Sequence, residues 1–347
     1  MTYEKVSIVM CTFNGAKYVR QQLQTLLRQT YPIYEILVQD DGSTDQTMHI
    51  LREFAAKHPH IRLTANNGPR GINNNFFSAM RRAQGTYIAI SDQDDLWQPD
   101  KIERQMAAIG DNLLCACRSK PFSADGSPVN YDPRRPNCHL IRLLYSSIPG
   151  HTMLFHRRLL NMLPDTDYDY KTYYDVFLSL TAACHQSLVL VDEFLVLQRR
   201  HSEAATYAEP DHRRSPSAAN GLYILAWSLC HYARVRPYMH AYFQRRLRLL
   251  QHIPADGPLY RDAVAIAALE GRRGLGSLLR LCRLHVRHRH HLFYAEGRGP
   301  VNFLRAALYC VMQVYNYRYL LPNTHHPTPI THHSTPNTMI PLGAALD

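Results

Sequence analysis

The sequence predicts an α/β chain: a mostly parallel sheet flanked by helices, followed by a basic helical C-terminal region. Three observations carry this. Short apolar runs alternate with helical periodicities through the first half. Polar residues follow the carboxyl end of each run, where sheets of this class bind ligands. From His212 to Leu321 there are 17 arginines, 4 acidic residues and no lysine, in stretches of helical spacing.

Val6 to Cys11 reads as a buried strand, Thr12-Phe13-Asn14-Gly15 as the turn after it, and Tyr18 to Gln29 as a helix with Leu23, Leu26 and Leu27 on one face. Glu35 to Gln39 is the second strand. It ends at Asp40-Asp41-Gly42-Ser43-Thr44-Asp45, whose last three residues can cap a helix carrying Met48, Ile50, Leu51 and Phe54. Ile61 to Thr64 is a third strand and Asn73 to Arg82 a third helix. Tyr87-Ile88-Ala89-Ile90-Ser91 is a fourth strand, running into Asp92-Gln93-Asp94-Asp95. Four strand ends thus carry Thr12 and Asn14, then Asp40 and Asp41, then Asn66, Asn67 and Arg70, then Asp92 and Asp94.

Three carboxylates within four residues at a strand end repel one another unless a cation or a partner compensates them. Asp92 and Asp94, two apart, can face one hard divalent ion such as Mg²⁺ or Mn²⁺. Alternatively the acidic turn only caps the helix that begins near Pro99. Neither G-x-x-x-x-G-K-[ST] nor G-x-G-x-x-G follows the first strand, which argues against a P-loop ATPase and a dinucleotide dehydrogenase.

Val9-Met10-Cys11-Thr12-Phe13-Asn14, Gln39-Asp40-Asp41-Gly42-Ser43-Thr44-Asp45 and Ser91-Asp92-Gln93-Asp94-Asp95-Leu96-Trp97 together resemble the three signature blocks of the family 2 glycosyltransferases. The resemblance spans about the first 110 residues; Gln39 departs from it, standing where the family usually has an apolar residue. It implies a GT-A fold and inverting, metal-dependent sugar transfer. Thr12, Asn14, Asp40, Asp41, Asn67, Arg70, Asp92 and Arg200 would then serve the nucleotide and donor sugar. Asp40 would meet the base, Asp92 the ribose or sugar, and Asp94, with Asp92 and His201, the metal. The Asp-Gln-Asp-Asp-Leu-Trp form is similar to bacterial rhamnosyltransferases, which suggests dTDP-rhamnose as donor, with a UDP-hexose as the alternative, and a lipid-linked or surface polysaccharide as acceptor.

Further along, Asn112 to Cys117 reads as a strand and Lys120 to Cys138 as an insertion or loop. Ser147 to Phe155 reads as a strand with Gly150 and His151 at its middle. His151 either faces the acceptor or is a satisfied buried histidine. Asp175, in Tyr173-Tyr174-Asp175-Val176-Phe177, opens an apolar helix; the resemblance makes it the general base, and helix capping is the plainer reading. Asp165, Asp167 and Asp169 are the fallbacks. Leu188 to Leu197 looks like strand–turn–strand and leads into Gln198-Arg199-Arg200-His201, where Arg200 and His201 can reach diphosphate or metal.

The sequence divides as residues 1–205, a transferase domain; 206–321, a basic helical region; and 322–347, a tail without periodicity expected to be disordered. Leu222–Tyr232, Met239–Leu250, Asp262–Leu269, Leu275–His291 and Asn302–Leu320 are the expected helices, broken by Pro237, Pro254, Pro258 and Pro300. Their arginines alternate with Leu, Tyr and Phe, which suits the anionic inner face of a cytoplasmic membrane or, equally, a helical bundle with its arginines in water. Nucleic acid is not expected, since no recognition motif accompanies the charge. The eight cysteines form no C-x-x-C pair and are expected to be reduced in a cytoplasmic protein. Arg287 and Arg289 among His285, His288, His290 and His291 oppose a zinc site there.

Overall fold

The computed structural model describes residues 3–127, 129, 131, 133–162, 173–201, 218–272, 274–293, 299–318 and 321. Two compact units emerge, one of residues 1–138 and 148–201, the other of residues 139–147 and 202–347.

The first unit begins with β1 (Val6–Thr12), α1 (Val19–Leu27), β2 (Ile33–Asp40), α2 (Thr47–Lys57), β3 (Ile61–Ala65), α3 (Ile72–Arg82) and β4 (Tyr87–Ser91). These follow the alternation in the sequence closely. Next come β5 (Leu96–Trp97), α4 (Lys101–Ile109) and β6 (Leu114–Ser123). Helix α5 (Leu140–Leu143) belongs to the second unit, and the first resumes with β7 (Met153–His156), α6 (Tyr174–Cys184) and β8 (Leu188–Arg200).

One eight-stranded sheet results, in the order β3-β2-β1-β4-β7-β6-β8-β5. Pairing is parallel from β3 through β4 and between β6 and β8, and antiparallel at β4–β7, β6–β7 and β5–β8. Ile8, Met10, Ile36, Val38 and Ala89 of the central strands are buried against Leu23 and Leu26 of α1 and Leu51 of α2. This packing sets the carboxyl ends of β1, β2 and β4 side by side, because Thr12 pairs with Asp40 and Met10 with Ser91.

Several local expectations are corrected. Strand β6 continues through Lys120 to Ser123, so the loop starts later. Leu188 to Arg200 is one strand, not two. Register shifts opposite Cys117, Arg118 and Ser119 absorb Asp192 and Glu193 as a bulge, and their carboxylates pair with Arg118 and Arg104. Gly150 and His151 lie in a 3₁₀ turn, Gly150–Thr152, ahead of β7 rather than inside a strand. The Thr152 amide donates to the Pro149 carbonyl (3.0 Å), closing the turn in place of a ladder bond.

The second unit is helical: α7 (Ala218–His252), α8 (Pro258–Leu269), α9 (Leu275–Arg287), α10 (Arg289–Leu292) and α11 (Pro300–Asn316), with α5. Pro237 does not break α7, which runs 35 residues through it. Pro258 and Pro300 start helices instead of interrupting them, at the position where a missing N–H costs nothing. In the core of this unit the Tyr145 hydroxyl donates to Glu270 Oε1 (2.6 Å) and lies 2.7 Å from His285 Nε2. His288 pairs with Asp262 at 2.8 Å. Among the described residues no histidine of this unit belongs to a group with metal-ligand spacing. The expected tail, residues 322–347, lies outside the described residues.

Candidate active site

The site forms where β1, β2, β4 and β8 end. Beyond β1, Thr12 is buried and its hydroxyl donates to Asp40 Oδ1 (2.8 Å). Asn14 adopts a left-handed backbone (φ 47°) and its Oδ1 accepts the Thr44 amide (2.9 Å), while its own N–H donates to Ser43 Oγ (2.9 Å). The turns after β1 and β2 are therefore stitched together.

Asp40 is the centre of that stitching. Its Oδ2 accepts the amides of Gly42 (3.0 Å) and Ser43 (2.8 Å), and its Oδ1 accepts the hydroxyls of Thr12 and Ser43 (2.6 Å). All four acceptor positions of the carboxylate are in use. Asp41 is spent similarly, accepting from Asn66 Nδ2 (2.6 Å) and the Gly71 amide (2.7 Å). Asn67 is exposed. Arg70 lies across the same turn: a Cβ on Gly42, itself at φ +88°, would fall 2.7 Å from the Arg70 guanidinium. The positive φ favours glycine there, whereas the exposed Arg70 side chain could move aside.

After β4 the acidic run divides its labour. Gln93 turns back on the first loop, accepting the Phe13 amide (2.9 Å) and donating to the Phe13 carbonyl (3.0 Å). Asp94 Oδ2 lies 2.7 Å from His201 Nε2, and His201 packs on the Tyr18 ring. Burial, then the Asp92 charge, raises the Asp94 pKa against the pull of His201. Asp95 is almost fully buried; its Oδ1 accepts the Arg199 amide (3.1 Å) and its Oδ2 has no hydrogen-bond partner. Burial drives its pKa up, opposed by His151 and assisted by Asp92 and Asp94.

His151 Nδ1 lies 3.2 Å from Asp92 and 3.6 Å from Asp95, and its Nε2 is buried without a partner. Burial alone would depress this imidazole, but Asp95, Asp92 and Asp94 outweigh it and raise its pKa. Ligand atoms of Asp92, Asp95 and His151 lie within 4.8 Å of one another. Unspent lone pairs on Asp95 and His151 beside two other carboxylates suit a hard divalent ion, so the residues present fit one. The sequence reading grouped Asp92 with Asp94 and His201; here Asp94 and His201 form a neighbouring pair.

At the end of β8, Arg199 donates to the Asp94 carbonyl (2.9 Å) and to Gln21 Oε1 (2.8 Å), its guanidinium 4.6 Å from the Tyr18 ring centroid. Arg200 is part-buried, and its side chain makes no hydrogen bond or ion pair among the described residues; burial lowers its pKa against the pull of Asp95. Tyr174, at the start of α6, is buried against Phe76 (ring centroids 4.4 Å). Burial, then the charges of Asp92 and Asp175, hold its phenol well above the usual range, so its ring lies within the field of both carboxylates. Asp175 occupies the first turn of α6, one residue inside the helix rather than at the cap, which is Tyr173. Asp165, Asp167 and Asp169 lie outside the described residues. The sequence offered Asp95 only as a possible helper at the metal and did not single out Arg199 or Tyr174; their burial beside Asp92 and Asp94 marks all three.

The description Glycosyl transferase family 2 matches residues 7–167, which include the ends of β1, β2 and β4 and His151. The chain carries a family 2 glycosyltransferase domain. Relatives of this domain include Escherichia coli chondroitin synthase, 30% identical over 160 residues (45% of this chain, 23% of the relative). Another is the Bacillus subtilis putative teichuronic acid biosynthesis glycosyltransferase TuaG, 31% identical over 130 residues (36% and 50%). A third is the E. coli UDP-Glc:alpha-D-GlcNAc-diphosphoundecaprenol beta-1,3-glucosyltransferase WfgD, 34% identical over 109 residues (31% and 42%). The chain spans half or less of each relative's length. Among solved structures, S. aureus TarS 1-349 in complex with UDP-GlcNAc superposes with a TM-score of 0.54 at 16% identity, covering 90% of this chain and 89% of that one. That likeness concerns the fold, and it agrees with the GT-A arrangement of the glycosyltransferase domain.

Proposed function

We propose that the chain transfers a sugar, with inversion, from a nucleoside-diphosphate donor to a hydroxyl of a lipid-linked or surface polysaccharide precursor. The observation that carries this is the convergence of Thr12, Asp40, Asp92, Asp94 and Asp95 with Arg200 and His201 at neighbouring strand ends. Asp92, Asp94 and Asp95, with His151 and His201 beside them, would hold Mg²⁺ or Mn²⁺, which when bound supplies Lewis-acid compensation for the departing diphosphate.

The remaining steps belong to the chain. Arg200, a part-buried cation without a partner among the described residues, offers charge-assisted hydrogen bonds to phosphate oxygens. Arg199 and Gln93 hold the acidic run in place from either side. The Asp40 turn, covered by Arg70, shapes the seat for the base and ribose, with Asn14 and Asp41 fixing its edges and Asn67 at its exposed rim. Asp175 takes the proton from the acceptor hydroxyl as it attacks the anomeric carbon; a positioned base contributes typically ~10²–10⁴-fold.

For the donor, the Asp-Gln-Asp-Asp-Leu-Trp form supports dTDP-rhamnose, and the relative WfgD, named a UDP-Glc glucosyltransferase, supports a UDP-hexose. The reaction would take place on the cytoplasmic side of a membrane. Among the described residues no helix is long and apolar enough to cross one.

The test is a donor panel of dTDP-rhamnose, UDP-glucose and UDP-N-acetylglucosamine, each with and without Mn²⁺, read by thermal shift and by donor hydrolysis. One donor should stabilise the protein in the presence of metal, and Asp175→Asn should bind that donor while losing turnover. Full turnover in the Asn variant removes Asp175 as base, and silence toward every donor removes the transferase reading.

A further inference from the structure

Among the described residues of the second unit, acidic side chains neutralise few of the arginines. Of the four acidic residues between His212 and Leu321, Asp256 pairs with Arg261 (2.8 Å), Asp262 pairs with Arg287 and His288, and Glu270 is fully buried. Glu296 lies outside the described residues. Exposed apolar side chains concentrate in the same unit: nine of the fourteen large ones exposed among the described residues lie between Leu222 and Leu304. Cationic and apolar surface thus coincide, a combination rarely left without a partner.

Helix α9 shows the arrangement most clearly. Leu281, Leu284 and His285 face the core of the unit, and the opposite face carries the row Leu275, Leu279, Arg283, Arg287 at four-residue spacing. Leu275 is 72% and Leu279 51% exposed. Arg280 lies alongside this row. The side chains of Arg280 and Arg283 are exposed and make no hydrogen bond or ion pair among the described residues.

We propose that this face of α9 docks on an anionic lipid bilayer, with Arg280, Arg283 and Arg287 among the headgroups and Leu275 and Leu279 entering the acyl boundary. Nucleic acid would satisfy the arginines but offers no apolar phase to the leucines; a bilayer interface takes both. This rests on the proposed transfer to a lipid-linked or surface polysaccharide precursor and names the surface that would bring the enzyme to a membrane.

The experiment is sedimentation of the full chain with vesicles of phosphatidylglycerol and phosphatidylcholine, against phosphatidylcholine alone, at low and high salt. Wild type should partition to the anionic vesicles and release with salt. The double substitution Arg280→Glu with Arg283→Glu should lower partitioning by at least about tenfold. Leu275→Ser with Leu279→Ser should leave only weak binding that salt abolishes, and Arg28→Glu on the first unit should change nothing. Both pairs are exposed, so folding is retained and donor hydrolysis can be read in parallel. Equal partitioning of wild type and both double variants overturns the proposal, as does no vesicle binding by wild type or equally tight binding to duplex DNA. Vesicle binding without hydrolysis by any protein refutes the transferase reading alone; hydrolysis without vesicle binding refutes the docking alone.

Discussion

Asp40 offers the sharpest separation between holding a turn and holding a substrate. Its carboxylate accepts two backbone amides and two hydroxyls, and the side chain is buried. Removing it by Asp40→Ala strands the Gly42 and Ser43 amides and the Thr12 hydroxyl. At roughly 1–3 kcal/mol for each buried group left unmade, and with Gly42 and Ser43 partly open to water, the loss should be about 3 kcal/mol. Asp40→Asn is gentler. Its one oxygen can keep the two amides, and its NH₂ can donate to hydroxyls that rotate to accept, so about 1 kcal/mol should be lost. Urea denaturation should therefore rank wild type above Asn above Ala, with donor affinity falling in the same order because the turn deforms. If Asp40→Ala denatures with wild type yet fails to bind donor, the carboxylate acts on the nucleotide directly and the turn argument is wrong.

Three further outcomes follow from the geometry. Asp94→Ala should abolish the metal-dependent part of the donor thermal shift, leaving His201 without its partner at 2.7 Å; an undiminished shift would mean that Asp92, Asp95 and His151 suffice. A methyl group at Gly150 would fall 2.6–2.8 Å from the Tyr174 ring carbons, so Gly150→Ala should cost about 1–3 kcal/mol and more than tenfold in turnover. Unchanged turnover would detach Tyr174 from the site. Glu270 is held by burial at about 7, above the ordinary 4.5, so the stability it contributes is complete below pH 4.5 and lost as pH rises through 7. Glu270→Gln should therefore gain on wild type between pH 5 and pH 8, by up to about 3 kcal/mol in urea denaturation, while the opposing loss from His285 below its usual 6.5 cancels between the two proteins. A constant difference across that range would show that Glu270 stays ionised.

The local periodicities of residues 6–91 were enough to place β1 to β4 and the helices between them, because each element buries one face on its neighbours and its pattern states which. The acidic run after β4 and the Asp-Asp-Gly-Ser turn were equally legible, since ligand edges in such sheets follow strand ends. The readings weakened where distant partners decide the local form. Asp192 and Glu193 look like a turn, yet pairing with β6 makes them a bulge in one long strand. Pro237 looks like a break, yet packing of both halves of α7 on the other helices outweighs one lost hydrogen bond.

By itself the sequence determined the fold class, the family resemblance and the carboxylates at the strand ends, all properties of contiguous residues. Tertiary structure alone decided how those carboxylates are used. Asp40 is saturated by its own turn, Asp94 is tied to His201 more than 100 positions away, and Asp95 and His151 are left with buried, unspent lone pairs. Hydrogen-bond partners and desolvation depend on which elements pack together, and no local pattern encodes that.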